Sequence, residues 1–418
     1  MNISLNSPAR KRLAAALAVV CLGAYFALIA RDLVADWLGN RVELNSLERA
    51  ARLDPGNADY RNHMGRYYDL VARDPATAIG YYKAAVQLNP HSARYWFDLA
   101  SAYQVMGDTG SQTMALERAI QADSMTPDVA WEAANLYLVQ GQNEKALREF
   151  RVVMANDSPL APAAIQFCWR IDPDVDGLLR DVVPASADAY LAFLTLLQTK
   201  QETAGTIKVW DALMRSGQPF EARYAYDYIQ YLIQHKEVDE AVLAWQQSTT
   251  RFGRTAYLPS SANLIVNPMF NLDVINAGFD WQYQKQSGVT LTLDPSDFHA
   301  GRRSLMITFD GPGITDAGFY QFVAVRPNTT YEFNAYYKNG EIEGAGAPHL
   351  TIQDMYTRAI YYDSDELKEG GFWKSVDGEF TTGTDCKLVV LHVRRLPEGS
   401  PIRGKLWIDD FHLTQKRS

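Results

Sequence analysis

The hydrophobic and polar residues of this chain follow three different patterns in succession. Leu13 to Ala30 form an unbroken apolar run without charge or proline. From residue 41 to residue 253, apolar and aromatic residues recur at helical spacing. From residue 263 onward, short alternating segments are separated by turn residues. These patterns predict a multidomain protein, α and then β: an N-terminal transmembrane helix, an α-solenoid and a C-terminal antiparallel β-sandwich.

The apolar run over residues 13–30 is long enough to cross a bilayer, because it rises about 27 Å as a helix. It follows a basic tail, residues 1–12, in which Arg10, Lys11 and Arg12 are the charged residues. Acidic residues dilute the basic ones after the run, so the charge asymmetry favours a cytoplasmic N-terminus. We expect a single-pass protein of the bacterial inner membrane with a periplasmic body. Two alternatives stay open, a cleaved signal peptide and a buried core helix.

The helical part contains a repeat with a period of about thirty-five residues. Its copies begin at Asp54, Asn89 and Asp123, and each opens with a proline turn followed by an apolar and aromatic helical face. A short polar break and a second helix complete each copy. The first helix of each copy carries a small residue that lets the second helix approach closely: Gly65, Ala100 and Ala134.

This pattern resembles the tetratricopeptide repeat family over residues 43–155. From residue 160 to residue 253 the aromatic stripe persists, for example at Tyr190 and Trp210, but the glycine and most prolines are missing. We therefore expect roughly five to six helix pairs over residues 41–253, degenerate after residue 160. The resemblance implies a concave surface that binds protein partners.

A polar, proline-marked linker, residues 254–262, separates the helical pattern from the alternating one. Alternating segments with intervening turns are typical of an antiparallel sandwich. The clearest predicted strands are Ser304–Asp310, Tyr320–Val325, Tyr331–Lys338, His349–Asp354, Lys387–Arg395 and Lys405–Leu413. Within Tyr331–Lys338, alternation places the four residues Tyr331, Phe333, Ala335 and Tyr337 on the core face.

The order of these signals resembles jelly-roll carbohydrate-binding modules of the kind attached to xylanases and other glycoside hydrolases. The resemblance covers nearly all of residues 263–413 of the predicted domain, residues 263–418. It is carried by NLIVNPMFN, GFDWQY, HAGRRSLMITFDG, VRPNTTYEFNAYYK and GKLWIDDFHL. Such modules bind glycans through aromatic and amide side chains, and some carry a structural calcium ion. The resemblance therefore implies a polysaccharide partner.

Candidate glycan contacts are aromatic residues outside the clearest predicted strands, residues on the face of Tyr331–Lys338 that points away from the core, and amides that pair with sugar hydroxyls. They are Trp281, Tyr283, Gln321, Asn334, Tyr336, Gln353, Tyr356 and Trp373. Asp409 and Asp410, near the end of the last predicted strand, are the candidate oxygen ligands of a structural calcium ion. Solvation of the strand end is the alternative for these two carboxylates. No other cofactor is implied.

Composition and charge narrow the function classes. The chain has 40 basic and 49 acidic residues, a net charge of −9, which argues against a nucleic-acid partner. The sequence contains no nucleophile elbow, zinc-protease motif, phosphate loop or dinucleotide fingerprint. The resemblance to repeat proteins of bacterial exopolysaccharide loci implies a non-enzymatic, membrane-anchored periplasmic scaffold in exopolysaccharide or cell-envelope polysaccharide assembly or export. A protein-only interaction scaffold and a glycoside hydrolase with paired carboxylates are the alternatives.

Overall fold

The computed structural model describes residues 8–41, 43–368 and 370–416. The first seven residues of the predicted basic tail lie outside the described residues. The chain divides into two compact units. The first comprises the chain up to Lys200 together with Lys208–Ser216, and the second comprises Gln201–Ile207 together with the chain from Gly217 onward. The last helices therefore belong to the same compact unit as the strands.

Fourteen α-helices cover the described residues from Pro8 to Arg251. They are α1 Pro8–Gly39, α2 Leu44–Leu53, α3 Ala58–Arg66, α4 Pro75–Leu88, α5 Ala93–Met106, α6 Thr109–Ala122, α7 Pro127–Val139, α8 Asn143–Asn156, α9 Ala161–Ile171, α10 Val175–Gly177, α11 Ala187–Lys200, α12 Thr203–Ser216, α13 Ala222–Gln234 and α14 Val238–Arg251. Helix α1 is longer than the predicted run. Its segment Lys11–Gly39 is long and apolar enough to cross a membrane.

The C-terminal turns of α1 join the first helices in one apolar cluster. Ala35 is fully buried there against residues of α2 and α3, which include Leu47, Tyr60 and Met64. The charged residues of α1 lie toward its ends, so the exposed apolar side chains form its middle.

Local signals in the sequence explain why the repeat helices begin and end where they do. Asp74 precedes Pro75 and accepts a hydrogen bond from the Thr77 amide at 3.1 Å, which caps α4. Helix α5 ends at Gly107, which adopts the left-handed conformation with φ of 74°. The predicted helical repeats are confirmed: α3 packs with α4, α5 with α6 and α7 with α8. In the degenerate part α13 packs with α14, whereas α9 packs with α8 and α11.

Small residues allow the close approach of paired helices. A Cβ atom added to Gly65 of α3 would lie 2.5 Å from the ring of Tyr82 in α4. Tyr82 is buried together with Ala78, Ala85 and Ala100. The glycine is therefore a packing requirement of the first repeat.

The described strands form two five-stranded antiparallel sheets. Their bounds are β1 Gln282–Tyr283, β2 Val289–Asp294, β3 Ser304–Gly313, β4 Asp316–Ala324, β5 Thr330–Gly344, β6 Pro348–Asp354, β7 Ile360–Asp363, β8 Lys374–Thr381, β9 Leu388–Arg395 and β10 Pro401–Gln415. One sheet, sheet I, has the order β1-β4-β9-β6-β7, and the other, sheet II, has the order β2-β3-β10-β5-β8. The predicted sandwich and its six predicted strands are confirmed, while β1, β2, β7 and β8 were not predicted.

The inner faces of the two sheets share one apolar core. Tyr331, Phe333, Ala335 and Tyr337 of β5 all belong to it, as the alternation predicts. From β9 the core receives the alternate residues Val389, Leu391 and Val393. The intervening residues of β9 therefore project from the outer face of sheet I.

Candidate functional site

The outer face of sheet I forms a cleft of about 720 Å³. Its floor consists of residues that alternate with the core residues of β4, β6 and β9. Tyr320 and Phe322 come from β4, Gln353 from β6, and His392 and Arg394 from β9. Because these strands are not neighbours in sequence, only the sheet order brings the five side chains together.

Strand register aligns a polar row across the outer face of sheet I, and two of its members, Tyr320 and His392, line the cleft. Gln282 is paired with Tyr320, Tyr320 with His392, His392 with Thr351, and Thr351 with Asp363. Directly paired residues project to the same face of a sheet. Within the row, the Tyr320 hydroxyl donates to Gln282 Oε1 at 3.2 Å and the Thr351 hydroxyl donates to Asp363 Oδ1 at 2.7 Å. Burial raises the pKa of Tyr320, so this phenol stays protonated as a donor.

His392 is the polar side chain of this row with unused hydrogen-bonding capacity. Its Nδ1 atom lies 2.6 Å from Oδ2 of Asp316, and an ionised carboxylate requires Nδ1 to be the donor. Its Nε2 atom is buried and has no hydrogen-bond partner within the described chain. The Nε2 atom is therefore an unsatisfied polar atom within the floor of the cleft.

Amides, guanidinium groups and apolar side chains complete the walls. Gln284 and Gln286 follow β1, and Arg358 lies in the loop between β6 and β7. Arg394 donates to Glu398 at 2.7 Å. Apolar surface comes from three side chains that lie in one cross-strand row with Gln353: Phe322, Ile360 and Val390. A concave surface with a few convergent polar groups among apolar ones is typical of small-molecule and oligosaccharide sites.

The structure places two of the predicted glycan contacts, Gln353 and Tyr356, in or beside this cleft. Gln353 lines it. Tyr283 is exposed on β1 at the edge of sheet I, but it is paired with the core residue Phe319 and therefore projects away from the cleft. Tyr356 lies in the loop after β6, where its hydroxyl donates to the backbone oxygen of Ile233 in α13 at 2.8 Å. Their contact with glycan stays a prediction.

Two predicted contacts are core residues, against the expectation that their side chains lie outside the core. Trp281 is buried, stacks on Phe319 with ring centroids 4.8 Å apart and donates to the backbone oxygen of Asn267. Gln321 lies two residues after Phe319 and projects to the same inner face of the sandwich. Its side-chain amide forms hydrogen bonds with the backbone N–H and the backbone oxygen of Val266. Each polar group is therefore satisfied inside the protein.

The remaining three predicted contacts lie on the other side of the sandwich, at the outer face of sheet II. Asn334 donates to Asp377 Oδ1 at 2.5 Å, and Tyr336 stacks on His299 with centroids 3.6 Å apart. Trp373 donates from Nε1 to Asp297 Oδ1 at 3.2 Å. The structure does not bring this group together with Gln353.

The predicted calcium ligands are surrounded by hydrogen-bond donors. Asp409 accepts from the backbone amides of His299, Ala300 and Asp410, at 2.8, 2.9 and 2.8 Å. Each carboxylate oxygen of Asp410 lies 3.0 Å from an imidazole nitrogen, one of His299 and one of His412. No group of three or more acidic, histidine or cysteine side chains suited to a metal ion occurs in the described ranges. Both carboxylates are thus engaged by protein donors, and calcium binding by Asp409 and Asp410 stays a prediction.

Sequence reasoning missed most of the cleft. The signal for His392 and Arg394 was present, because both alternate with Val389, Leu391 and Val393 along β9. Tyr320 and Phe322 carried no such signal, because β4 is apolar on both faces.

Comparison with known proteins supports the division into two kinds of structure. Residues 262–396 match the family described as "Carbohydrate binding domain". A solved xylan-binding domain from Paenibacillus barcinonensis is 15% identical, with a TM-score of 0.26, and the match covers 38% of this chain and 98% of that one. No curated protein matches the sequence.

Two further solved structures are similar to this chain. MamA is 20% identical with a TM-score of 0.25, and the match covers 41% of this chain and 85% of that protein. PilF of Pseudomonas aeruginosa is 16% identical with a TM-score of 0.27, and the match covers 55% of this chain and 94% of that protein. The chain thus combines a helical region with a C-terminal region that matches a carbohydrate binding domain.

Proposed function

We propose that this protein is a non-enzymatic, membrane-anchored scaffold whose sandwich binds polysaccharide and whose helical repeats bind protein partners. Its body lies in the periplasm, and its task is the assembly or export of an exopolysaccharide or cell-envelope polysaccharide. The observation that carries the proposal is the cleft on sheet I within the part of the chain that matches a carbohydrate binding domain.

The chemistry of the cleft suits a polyhydroxylated ligand. Gln353, Gln284 and Gln286 offer both donors and acceptors, and His392 adds a polar side chain whose Nε2 atom has no partner in the described chain. Sugar hydroxyls both donate and accept, so these groups pair with them in complementary directions. The apolar row with Phe322 suits the C–H face of a sugar ring.

The same cleft favours binding over hydrolysis. Asp316 is the carboxylate among the residues that line it. Its two oxygens accept hydrogen bonds from His392 and from the backbone amide of Gly318. Glycoside hydrolysis ordinarily uses two carboxylates on either side of the scissile bond.

The anchor and its orientation support the compartment. The segment Lys11–Gly39 is long and apolar enough to span a membrane, and Arg10, Lys11 and Arg12 stand at its start. Basic residues are preferentially retained on the cytoplasmic side, which supports a periplasmic location for the repeats and the sandwich. Extracytoplasmic polysaccharide is then within reach of the cleft.

The test is retention of the purified full-length protein, in detergent, on native gels that contain single polysaccharides from a panel of neutral and acidic polymers. The proposal predicts retardation by at least one polymer. His392→Ala should weaken it, whereas His412→Ala, on β10 of sheet II, should not. Retention of a protein partner without retardation by any polymer would favour the protein-only scaffold, and release of reducing ends would favour a hydrolase.

A further inference from the structure

The last helix pair packs directly on the sandwich within the second compact unit. The Tyr356 hydroxyl donates to the backbone oxygen of Ile233 at the end of α13, and Lys236 Nζ lies 5.6 Å from the centroid of the Tyr356 ring. At the start of α14, Asp239 forms an ion pair of 2.5 Å with Lys387 beside β9. Polar contacts therefore hold both helices against the strands of sheet I.

Apolar contacts join α14 to the outer face of the same sheet. Trp245 is buried, donates from Nε1 to the backbone oxygen of Tyr257 at 3.1 Å and lies 6.2 Å from the ring of Phe279. A small space of about 40 Å³ remains between Val242 and Trp245 on the helix and Phe322 on β4. Phe322 also lines the cleft, so α14 lies beside the cleft at this residue.

Helix α13 supplies one wall of the cleft. Gln230 is half-buried and lines the cleft together with Met355 and Arg358. Asp354 Oδ1 accepts hydrogen bonds from the backbone amides of Tyr356 and Thr357 at 2.8 and 2.7 Å. These bonds fix the loop after β6, which carries Met355 and Arg358. The bond from Tyr356 to α13 then fixes this loop to the helix.

We propose that the last helix pair is an integral part of the glycan site, and that Gln230 contacts the bound glycan. The inference rests on the proposed function of the cleft as a polysaccharide site. A bound polymer then touches a helix of the repeat region and the strands of the sandwich at once, so ligand binding stabilises their junction. The family match begins at residue 262, more than thirty residues after Gln230, so it does not assign this residue.

The experiment compares two glutamines of the same helix in the full-length protein in detergent. Gln230 lines the cleft, whereas Gln234, one turn later, is exposed and does not line it. The probe is each polymer that retards the wild-type protein, for example xylan or alginate. Gln230→Ala should raise the apparent dissociation constant about 3- to 10-fold, because a ligand hydrogen bond is lost. Gln234→Ala should leave it unchanged.

A second measurement tests the junction without any substitution. Saturation of the wild-type protein with the retarding polymer should slow hydrogen exchange in α13 and in residues 354–359. Equal affinities of both variants and the wild type, with no added protection of α13, would overturn the inference while the proposed function stands. If no polymer retards the wild-type protein, both the inference and the proposed function are wrong.

Discussion

The packing of the first repeat predicts that replacing glycine with alanine lowers the stability of the helix pair at Gly65 and raises it at Gly80. Gly65 of α3 faces the buried ring of Tyr82, and a Cβ atom there would lie 2.5 Å from two ring carbons. Gly80 of α4 is exposed, and a Cβ atom there meets nothing within 4 Å. Gly65→Ala therefore tests the close approach of the helices, and Gly80→Ala is its matched control.

The magnitudes follow from two opposing effects. Replacing a helical glycine with alanine stabilises a helix by about 1 kcal/mol. At Gly65 the added methyl group also overpacks the contact with Tyr82, which costs about 1–3 kcal/mol. We expect Gly65→Ala to destabilise the pair by about 1 kcal/mol and Gly80→Ala to stabilise it by about 1 kcal/mol. The difference of about 2 kcal/mol corresponds to roughly 30-fold in local opening.

Hydrogen exchange of the α4 amides measures this opening directly, without assuming that the whole chain unfolds in one step. The α4 amides should exchange faster than wild type in Gly65→Ala and more slowly in Gly80→Ala. Slower exchange in both variants would mean that α3 and α4 do not approach closely at Gly65. The account of the repeat packing would then be wrong.

Three further predictions concern the buried carboxylate, the sandwich core and the anchor. Burial raises the pKa of Asp280 to about 7, so the folded state holds this proton more tightly than the unfolded chain does. Stability to urea should therefore fall as pH rises from about 4 to 7, and Asp280→Asn should flatten that slope. An unchanged slope in Asp280→Asn would contradict this role of the buried carboxyl group. Trp281→Ala should lower the free energy of unfolding of the sandwich by about 3–5 kcal/mol, because it empties a core position next to Phe319. Unfolding is measured by near-ultraviolet circular dichroism. A loss below about 1 kcal/mol would mean that the ring lies outside the core. Alkaline phosphatase fused after residue 45 should be active and an N-terminal fusion inactive; the reverse pattern would refute the orientation.

Local patterns in the sequence were enough to predict the elements of the fold. The repeat follows from small and aromatic residues at fixed positions, such as Gly65 against Tyr82. The strands follow from alternation, which correctly assigned Tyr331 and Phe333 to the core. Short strands such as β7 were missed because two or three alternating residues do not stand out from a loop.

The cleft could not be predicted in the same way, because it depends on the order of strands in sheet I. Alternation divides the residues of one strand between two faces, but it does not say which face is the core when both are apolar, as in β4. Gln321 was predicted as a glycan contact from its amide group alone, although that amide bonds Val266 inside the sandwich. Gln230 lies on a helix far from the strands in sequence, and only packing brings it to the cleft.

The central claim is that the outer face of sheet I, and not that of sheet II, binds the polysaccharide. Two amide side chains on opposite sides of the sandwich test this claim, since Gln353 lines the cleft and Asn334 lies on the outer face of sheet II. The measurement is the dissociation constant of Gln353→Ala and Asn334→Ala for a polymer that retards the full-length protein. The account predicts an affinity lower by about 3- to 10-fold for Gln353→Ala and unchanged for Asn334→Ala. Weakened binding by Asn334→Ala, with wild-type binding by Gln353→Ala, would contradict it.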